Sequence, residues 1–462
     1  IAIFLPFTYS LTPVTGLFTL AAIFFTASYG GNITAVLINT PGTDDSLFMV
    51  LDGYPMTVRG EGLRAVGITT YSAFIGGIIG GVSLLFIAPP LARIAIKFGP
   101  VELFLTSLMG IVIIVGLTKG GMLKGLISAS LGLLCAVVGL DHMTGLPRLY
   151  FGIDPIYDSL PLLPVVLGLF AVSQILDLTA SKSSIIAVED TSASRAVFIK
   201  LRDHAQLLAN NIRSSIIGTV VGIIPAAGTT VAAGISYNLS KRLSHDPDSF
   251  GKGNEHGLAS VSACNNAVVG GSLVPLLSLG IPGNGTSALF LGALLIHGLS
   301  PGAKLFARSS ETIYGMIWGL IAANFFILLV GLFGARIYAR VTKIPKSILV
   351  PVVAAFIVLG AYLNRNLAFD MFLILFFGII GYFMTRGGYS MAPFVLAFIL
   401  GKLVETQLRR ALQIYQDDFL ATMFTSPIAL LLLTVNIVFF LSPFWPDIKR
   451  MLTRSKATSD ET

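Results

Sequence analysis

Apolar stretches long enough to enter a lipid bilayer recur along this whole chain, and nothing else in the sequence constrains its fold as strongly. Ala65 to Ala88, Pro100 to Leu117, Thr312 to Gly334 and Ser426 to Trp445 are examples. As helices rising ~1.5 Å per residue, such stretches cross most or all of ~30 Å of hydrocarbon. Hydrophobic residues make up 54% of the 462 residues and charged ones 11%, where soluble domains carry roughly 25% charge. Strand-like alternation with period two, the mark of a membrane β-barrel, is missing. The sequence therefore specifies an all-α polytopic membrane protein.

The net charge of +7 does not point to nucleic acid. Lys and Arg sit in short loops between spans, as the positive-inside rule expects. If the early spans alternate, one side receives Arg59, Arg64, Lys119, Lys124, Lys182, Arg195, Lys200, Arg202 and Arg213. The other receives only Arg93, Lys97 and Arg148, so the first side is cytoplasmic. Cys135 and Cys264 are far apart in apolar surroundings and show neither metal spacing nor a disulfide framework. The apolar start, IAIFLPFTYS, leads us to expect further sequence upstream of Ile1.

Within this apolar background the segment 270–299 carries Pro282-Gly283-Asn284-Gly285, which breaks a helix where freed backbone groups find no water. A related pattern stands early in the chain. "GGNITAVLINTPGTDDSLF" at 30–48 and "GGSLVPLLSLGIPGNGTSALF" at 270–290 share Gly-Gly, an apolar run, Pro-Gly and a second apolar segment. Paired interrupted segments in two halves are the best sequence pointer to a transporter's binding site. Loop charges place the two motifs in opposite directions, which predicts inverted repeats with broken, re-entrant helices. Residues 1–178 form the first repeat on this reading, 179–209 a cytoplasmic linker, 210–445 the second repeat and 446–462 a polar tail. Ile1 to Ser28 reads as one or two membrane elements, Tyr29 to Val50 as the broken segment, 52–64 as a segment on the cytoplasmic side and 391–401 as a short span that leaves its crossing open.

A half-helix that starts inside a bilayer offers N–H groups to an anion, and one that ends there offers carbonyls to a cation. The first break is rich in uncharged polar groups: Asn32, Thr34, Asn39, Thr40 and Thr43 beside Pro41 and Gly42. The second has Asn265, Asn266, Ser272, Ser278, Asn284, Thr286 and Ser287 beside Pro282, Gly283 and Gly285. Such groups suit a carboxylate or a partly dehydrated Na⁺, with helix ends supplying positive potential. Any one Ser or Thr here is as readily a packing residue, but packing does not explain two Pro-Gly breaks. Asp44 and Asp45 are candidates by virtue of being ionisable in an apolar region, against solvation in a vestibule. "HDPDSFGKGNEH" at 245–256 reads as a solvated loop rather than a metal site. "GIIPAAGTT" at 222–230 is a third break. No nucleophile or acid–base pair is arranged for catalysis, so we expect no enzyme and no organic cofactor. A stand-alone channel or carrier for small anions is the nearest alternative, and an intramembrane enzyme a more distant one.

At these motifs the chain resembles the large membrane subunit of the tripartite tricarboxylate transporter family. The stretches that carry the resemblance are "YGGNITAVLINTPGT", "LDGYPM", "RLYFGIDPIYDSLPLLPVVLGLFA", "ACNNAVVGGSLVPLLSLGIPGNGTSA", "LGALLIHGLSPG" and "APFVLAFILGKLVETQLRRAL". The resemblance implies a multi-pass permease of the bacterial inner membrane working with a small membrane subunit and a periplasmic solute-binding protein. It implies uptake of a carboxylate such as citrate, driven by Na⁺ or H⁺ without ATP, and by analogy an elevator-type movement; the solute, the ion and a homo-oligomeric state stay open. The chain departs from the family pattern at Val261-Ser262, where relatives often have Pro-Glu, and at Pro225-Ala226 and Asp44-Asp45.

Overall fold

The structure, a computed structural model, describes residues 1–441 apart from 2, 9, 40–41, 44–45, 117, 119–120, 142, 181–200, 225–228, 303 and 342–345. Helices account for nearly all of it. In chain order they are α1 (Leu5–Thr8), α2 (Pro13–Ile38), α3 (Leu47–Met56), α4 (Gly62–Ala95), α5 (Pro100–Gly116) and α6 (Met122–Ala136). A two-stranded antiparallel ribbon follows, β1 (Gly139–Leu140) and β2 (Pro147–Arg148). Then come α7 (Leu162–Val166), α8 (Ser173–Ala180), α9 (Leu201–Ile223), α10 (Thr229–Arg242), α11 (Glu255–Leu279) and α12 (Gly285–Ile296). The chain continues with α13 (Leu305–Arg308), α14 (Ser310–Val341), α15 (Lys346–Arg365), α16 (Ala368–Arg386), α17 (Met391–Tyr415), α18 (Phe419–Thr425) and α19 (Pro427–Leu441). Among the described residues six helical stretches are long and apolar enough to cross a membrane. The all-α polytopic architecture expected from the sequence is the one observed.

Several boundaries differ from the sequence reading. Helix α2 runs unbroken through Tyr29, Gly30 and Gly31, and the interruption begins only at Asn39. Consecutive glycines weaken a helix in water, but in an apolar setting the backbone hydrogen bonds outweigh that preference. Residues 52–64, placed by the sequence only on a side of the membrane, are helical: α3 continues through a wide turn at Thr57–Glu61, where Gly60 takes φ 81°, directly into α4. Helix α9 starts at Leu201, within the stretch read as linker, and 391–401 is the first part of the 25-residue α17.

By contact the chain divides into two compact units. One comprises Ile1–Ile96 and Leu162–Tyr382, the other Lys97–Pro161 and Phe383–Thr462. In the first unit α11 is the axis, and all but the ends of its length is buried. Small residues allow its neighbours to approach: a Cβ on Gly76 of α4 would run into the Ala263 carbonyl, and one on Gly80 would lie 2.8 Å from the Ala267 carbonyl. Close approach of this kind replaces the hydrophobic drive that lipid cannot supply between helices. Helix α9 packs on another side of α11, with Gly218 against Cys264 and Ala267.

The contacts also fix directions. Ser262 donates to the Thr69 carbonyl at 2.7 Å, and with the glycine contacts this makes α4 and α11 parallel. Val14 and Phe18 of α2 meet Gly315 and Gly319, so α2 and α14 are parallel as well. Helices α2 and α11 are antiparallel, since Asn32 meets Asn265 while Val36 and Leu258 meet at Gly53. Helices α4 and α14 are antiparallel too, through Thr70 with Gly331, Gly77 with Asn324 and Gly81 with Ile321.

In the second unit α6 lies on α17, where Gly132 faces Phe394 and Gly401 faces Ala136. Val101 and Leu105 of α5 enclose a small core with Ala411 and Ala429. Ser426 donates to Glu102 at 2.6 Å, and Asn436 donates to the Leu105 carbonyl at 3.1 Å.

Candidate substrate and ion site

The first interruption folds back on its own helix. Asn39 ends α2 in the left-handed region (φ 54°), with its N–H on the Thr34 carbonyl. Pro41, with Thr40, Asp44 and Asp45, lies outside the described residues. The chain then returns so that the Gly42 N–H points at the Gly31 carbonyl across 3.4 Å, with Thr43 over Gly31. Ser46 closes the turn, accepting from the Thr43 N–H at 3.1 Å and donating to its carbonyl at 2.7 Å. Thr34 spends its hydroxyl on the Gly31 carbonyl.

The second interruption has the same construction. Gly280 ends α11 with φ 77°, and the chain folds back until Gly283 lies against Ser272 and the Gly222 carbonyl. A Cβ on Gly283 would sit 2.8 Å from both, so only glycine fits. Gly31 meets Gly42 eleven residues on, and Ser272 meets Gly283 eleven residues on. The one-residue difference between the sequence motifs is absorbed by moving the contact from the second Gly of the pair to Ser272. Asn284 caps α12: its Oδ1 accepts from the Ser287 N–H, and its own N–H reaches the Ser287 hydroxyl, both at 2.8 Å. That reciprocal box leaves the N–H groups of Gly285 and Thr286 at the helix start, with Thr286 exposed. Gly222 lies one residue before the end of α9, so the helix that leads to the third break meets the second one; residues 225–228 of the third break lie outside the described residues.

The structure brings Asn32 and Asn265 together, both fully buried, with the Asn265 amide donating to Asn32 Oδ1 at 3.1 Å. The remaining atoms of the pair, Asn32 Nδ2 and Asn265 Oδ1, find no partner among the described residues. Neither does the buried hydroxyl of Thr43, nor either amide atom of the fully buried Asn266. An unmet buried polar group costs roughly 1–3 kcal/mol, so a cluster of them needs a ligand or water. Donors and acceptors are both on offer, which suits a carboxylate as well as a cation. Ser272 is spent internally on the Val269 carbonyl, at 2.9 Å. Along α11, Ser272 stands about 10 Å beyond Asn265 at ~1.5 Å per residue. The candidate residues therefore fall into two neighbouring groups, one around the asparagine pair and one around Gly283 and Asn284.

Sequence reasoning missed other polar residues of this unit. Asp52, in the "LDGYPM" stretch, is fully buried and accepts four hydrogen bonds. Asn211 of α9 is fully buried with neither amide atom partnered among the described residues. An acid or amide inside an apolar helix was the available signal. Among the described residues no three His, Cys, Asp or Glu side chains gather into a metal site.

A polytopic helical bundle whose helices break and turn polar groups inward has the architecture of membrane transport proteins. This chain belongs to the tripartite tricarboxylate transporter TctA family, whose sequence profile matches residues 1–396. Two proteins of Agrobacterium vitis are similar to it. One, named as an uncharacterized 52.8 kDa protein in the TAR-I ttuC' 3' region, is 32% identical over 451 residues, which is 97% of this chain and 89% of that protein. The other, an uncharacterized protein in the TAR-II ttuC' 3' region, is 35% identical over 233 residues, covering 50% of this chain and 96% of the relative. No solved structure matches the chain.

Proposed function

We propose that this chain is the permease subunit of a binding-protein-dependent secondary transporter that takes up a tri- or dicarboxylate such as citrate. A Na⁺ or H⁺ gradient drives it across the bacterial inner membrane, and its partners are a small membrane subunit and a periplasmic solute-binding protein. The observation that carries this reading is the pair of matched fold-backs on antiparallel helices, together with buried amide atoms that have no partner among the described residues. The reciprocal pairing of α2 with α14 and α4 with α11 supports an inverted repeat in which two interruptions supply anion-seeking N–H groups and cation-seeking carbonyls. Family membership supports the carboxylate and the additional subunits.

Uptake of labelled citrate by cells expressing all three subunits tests the reading. Asn265→Ala and Asn284→Ala are each expected to reduce uptake at least about tenfold, the loss of one buried polar contact, with normal amounts of protein in the membrane. Wild-type uptake in both variants overturns the site assignment. Uptake that persists without the binding protein, or after the ion gradients are collapsed, overturns the transport mechanism.

A further inference from the structure

Two of the family-like stretches place residues in the second unit, Arg148 from "RLYFGIDPIYDSLPLL" and Lys402 to Arg409 from "GKLVETQLRRAL", and these come together there. Arg148 of β2 holds Glu405 of α17 in a bidentate pair, at 2.8 and 3.2 Å. Arg409 bridges Glu405 at 2.9 Å and Asp141 at 2.8 Å. Asp141 also accepts from the Met143 N–H at 3.0 Å and the Thr144 hydroxyl at 2.7 Å. The oxygens of both carboxylates are thereby engaged. Lys402, one helical turn before Glu405, lines the same small cleft and has no hydrogen bond or ion pair among the described residues. Arg148 Nε is buried and likewise unpartnered. Three cations face two carboxylates around one opening, and the excess positive charge is that of Lys402.

We propose that this cleft is a second carboxylate-binding site, in which one carboxylate oxygen of the transported anion accepts from Lys402 Nζ beside the Arg148 and Arg409 guanidinium groups. Its free volume is about 20 Å³, room for little more than one water-sized group. One carboxylate oxygen enters and the remainder of the anion stays outside. The guanidinium groups of Arg148 and Arg409 are already held by their ion pairs, which leaves the Lys402 ammonium to take the entering oxygen. The Glu405 and Asp141 ion pairs hold Arg148 and exclude a second anion, so the site admits a single carboxylate. Its residues are separate from those of the interrupted-helix site, and only the choice of a carboxylate as ligand rests on the proposed function.

The test uses the purified full-length chain in nanodiscs, with citrate as the probe and calorimetry as the readout. In an Asn265→Ala background, which disables the other site, citrate is expected to bind saturably, and acetate to compete. Lys402→Gln is expected to weaken citrate about tenfold or more, the loss of one charge-assisted contact. Lys402→Arg is expected to restore most of the affinity. Because the Lys402 side chain has no hydrogen bond or ion pair among the described residues, melting temperatures of the variants should match the parent, and Lys402→Met serves as a second variant of similar length. No saturable binding in the Asn265→Ala chain, or citrate affinity unchanged in both Lys402→Gln and Lys402→Met, overturns the proposal. Failure of the interrupted-helix reading would show differently, as normal uptake by Asn265→Ala.

Discussion

Asp52 carries four hydrogen bonds on one carboxyl group. Its Oδ1 accepts from the N–H groups of Gly251, Gly253 and Asn254 at 2.8–2.9 Å, and its Oδ2 accepts from the Tyr237 hydroxyl at 2.9 Å. Arg59 adds bonds to the Lys252 and Gly253 carbonyls, and Arg64 pairs with Glu255 at 2.6 Å. The loop that leads into α11 is therefore fastened to α3 and α4 rather than left in solvent. Asp52→Ala strands three backbone donors and a hydroxyl, and should cost about 3 kcal/mol or more. Asp52→Asn keeps an acceptor for the three N–H groups and should cost about 1 kcal/mol; melting of the purified variants in detergent measures both. Equal losses would show that the bonds to Oδ1 are not what matters. In the sequence, 245–256 was legible as polar but not as fastened, because its anchor lies some two hundred residues away inside an apolar helix. Asp141 offers a pH test. The Met143 N–H, Thr144 and Arg409 hold its carboxyl well below the usual range. A depressed pKa contributes stability above the unfolded-state value of about 4 and loses it as the pH falls toward the folded-state value. The stability gap between the parent and Asp141→Asn should thus be constant from about pH 7 to 5 and shrink only below about pH 4. A gap that closes already at pH 6 would implicate another group.

At the scale of elements, the two interruptions depend on backbone approach as much as on proline. Gly283 and Gly60 separate the two roles a glycine plays here. Gly283 sits where a Cβ would press on Ser272 and the Gly222 carbonyl, while Gly60 has φ 81° and nothing within 4 Å of its Cβ position. Gly283→Ala should therefore cost about 1–3 kcal/mol through overpacking and also impair citrate uptake. Gly60→Ala should cost about 1 kcal/mol of backbone strain and leave uptake largely intact. Similar uptake in the two variants would show that the fold-back tolerates a displaced loop. Both breaks were legible because Pro-Gly removes a donor and favours non-helical dihedrals. The continuation of α2 through Gly30 and Gly31 was not, since the contacts that stabilise it come from Thr43 and Gly42 beyond the break. The length of α17 was hidden as well: its charged second half pairs with the loop 139–148, and hydropathy alone counts those charges against a helix.

At the scale of the molecule, the first unit is built from helix pairs that answer each other, α2 beside α14 and α4 beside α11, each pair parallel. Helices α2 and α11, and likewise α4 and α14, run antiparallel. If α11 leaves the cytoplasm, α2 and α14 must enter it, so 245–254 is cytoplasmic and 298–304 is external. Arg336, Arg340, Lys343 and Lys346 near the far end of α14 agree with this orientation. Asp248 and Ser300 are both exposed and report on the two faces. With Cys135 and Cys264 replaced, Asp248→Cys should react with a membrane-impermeant maleimide only in inside-out vesicles. Ser300→Cys should react only in right-side-out vesicles. Labelling of both positions from one face would place the two ends of the α11–α12 segment on the same side. That result would contradict the proposed inverted repeat and would recast the second interruption as the tip of a hairpin that returns to the side it came from.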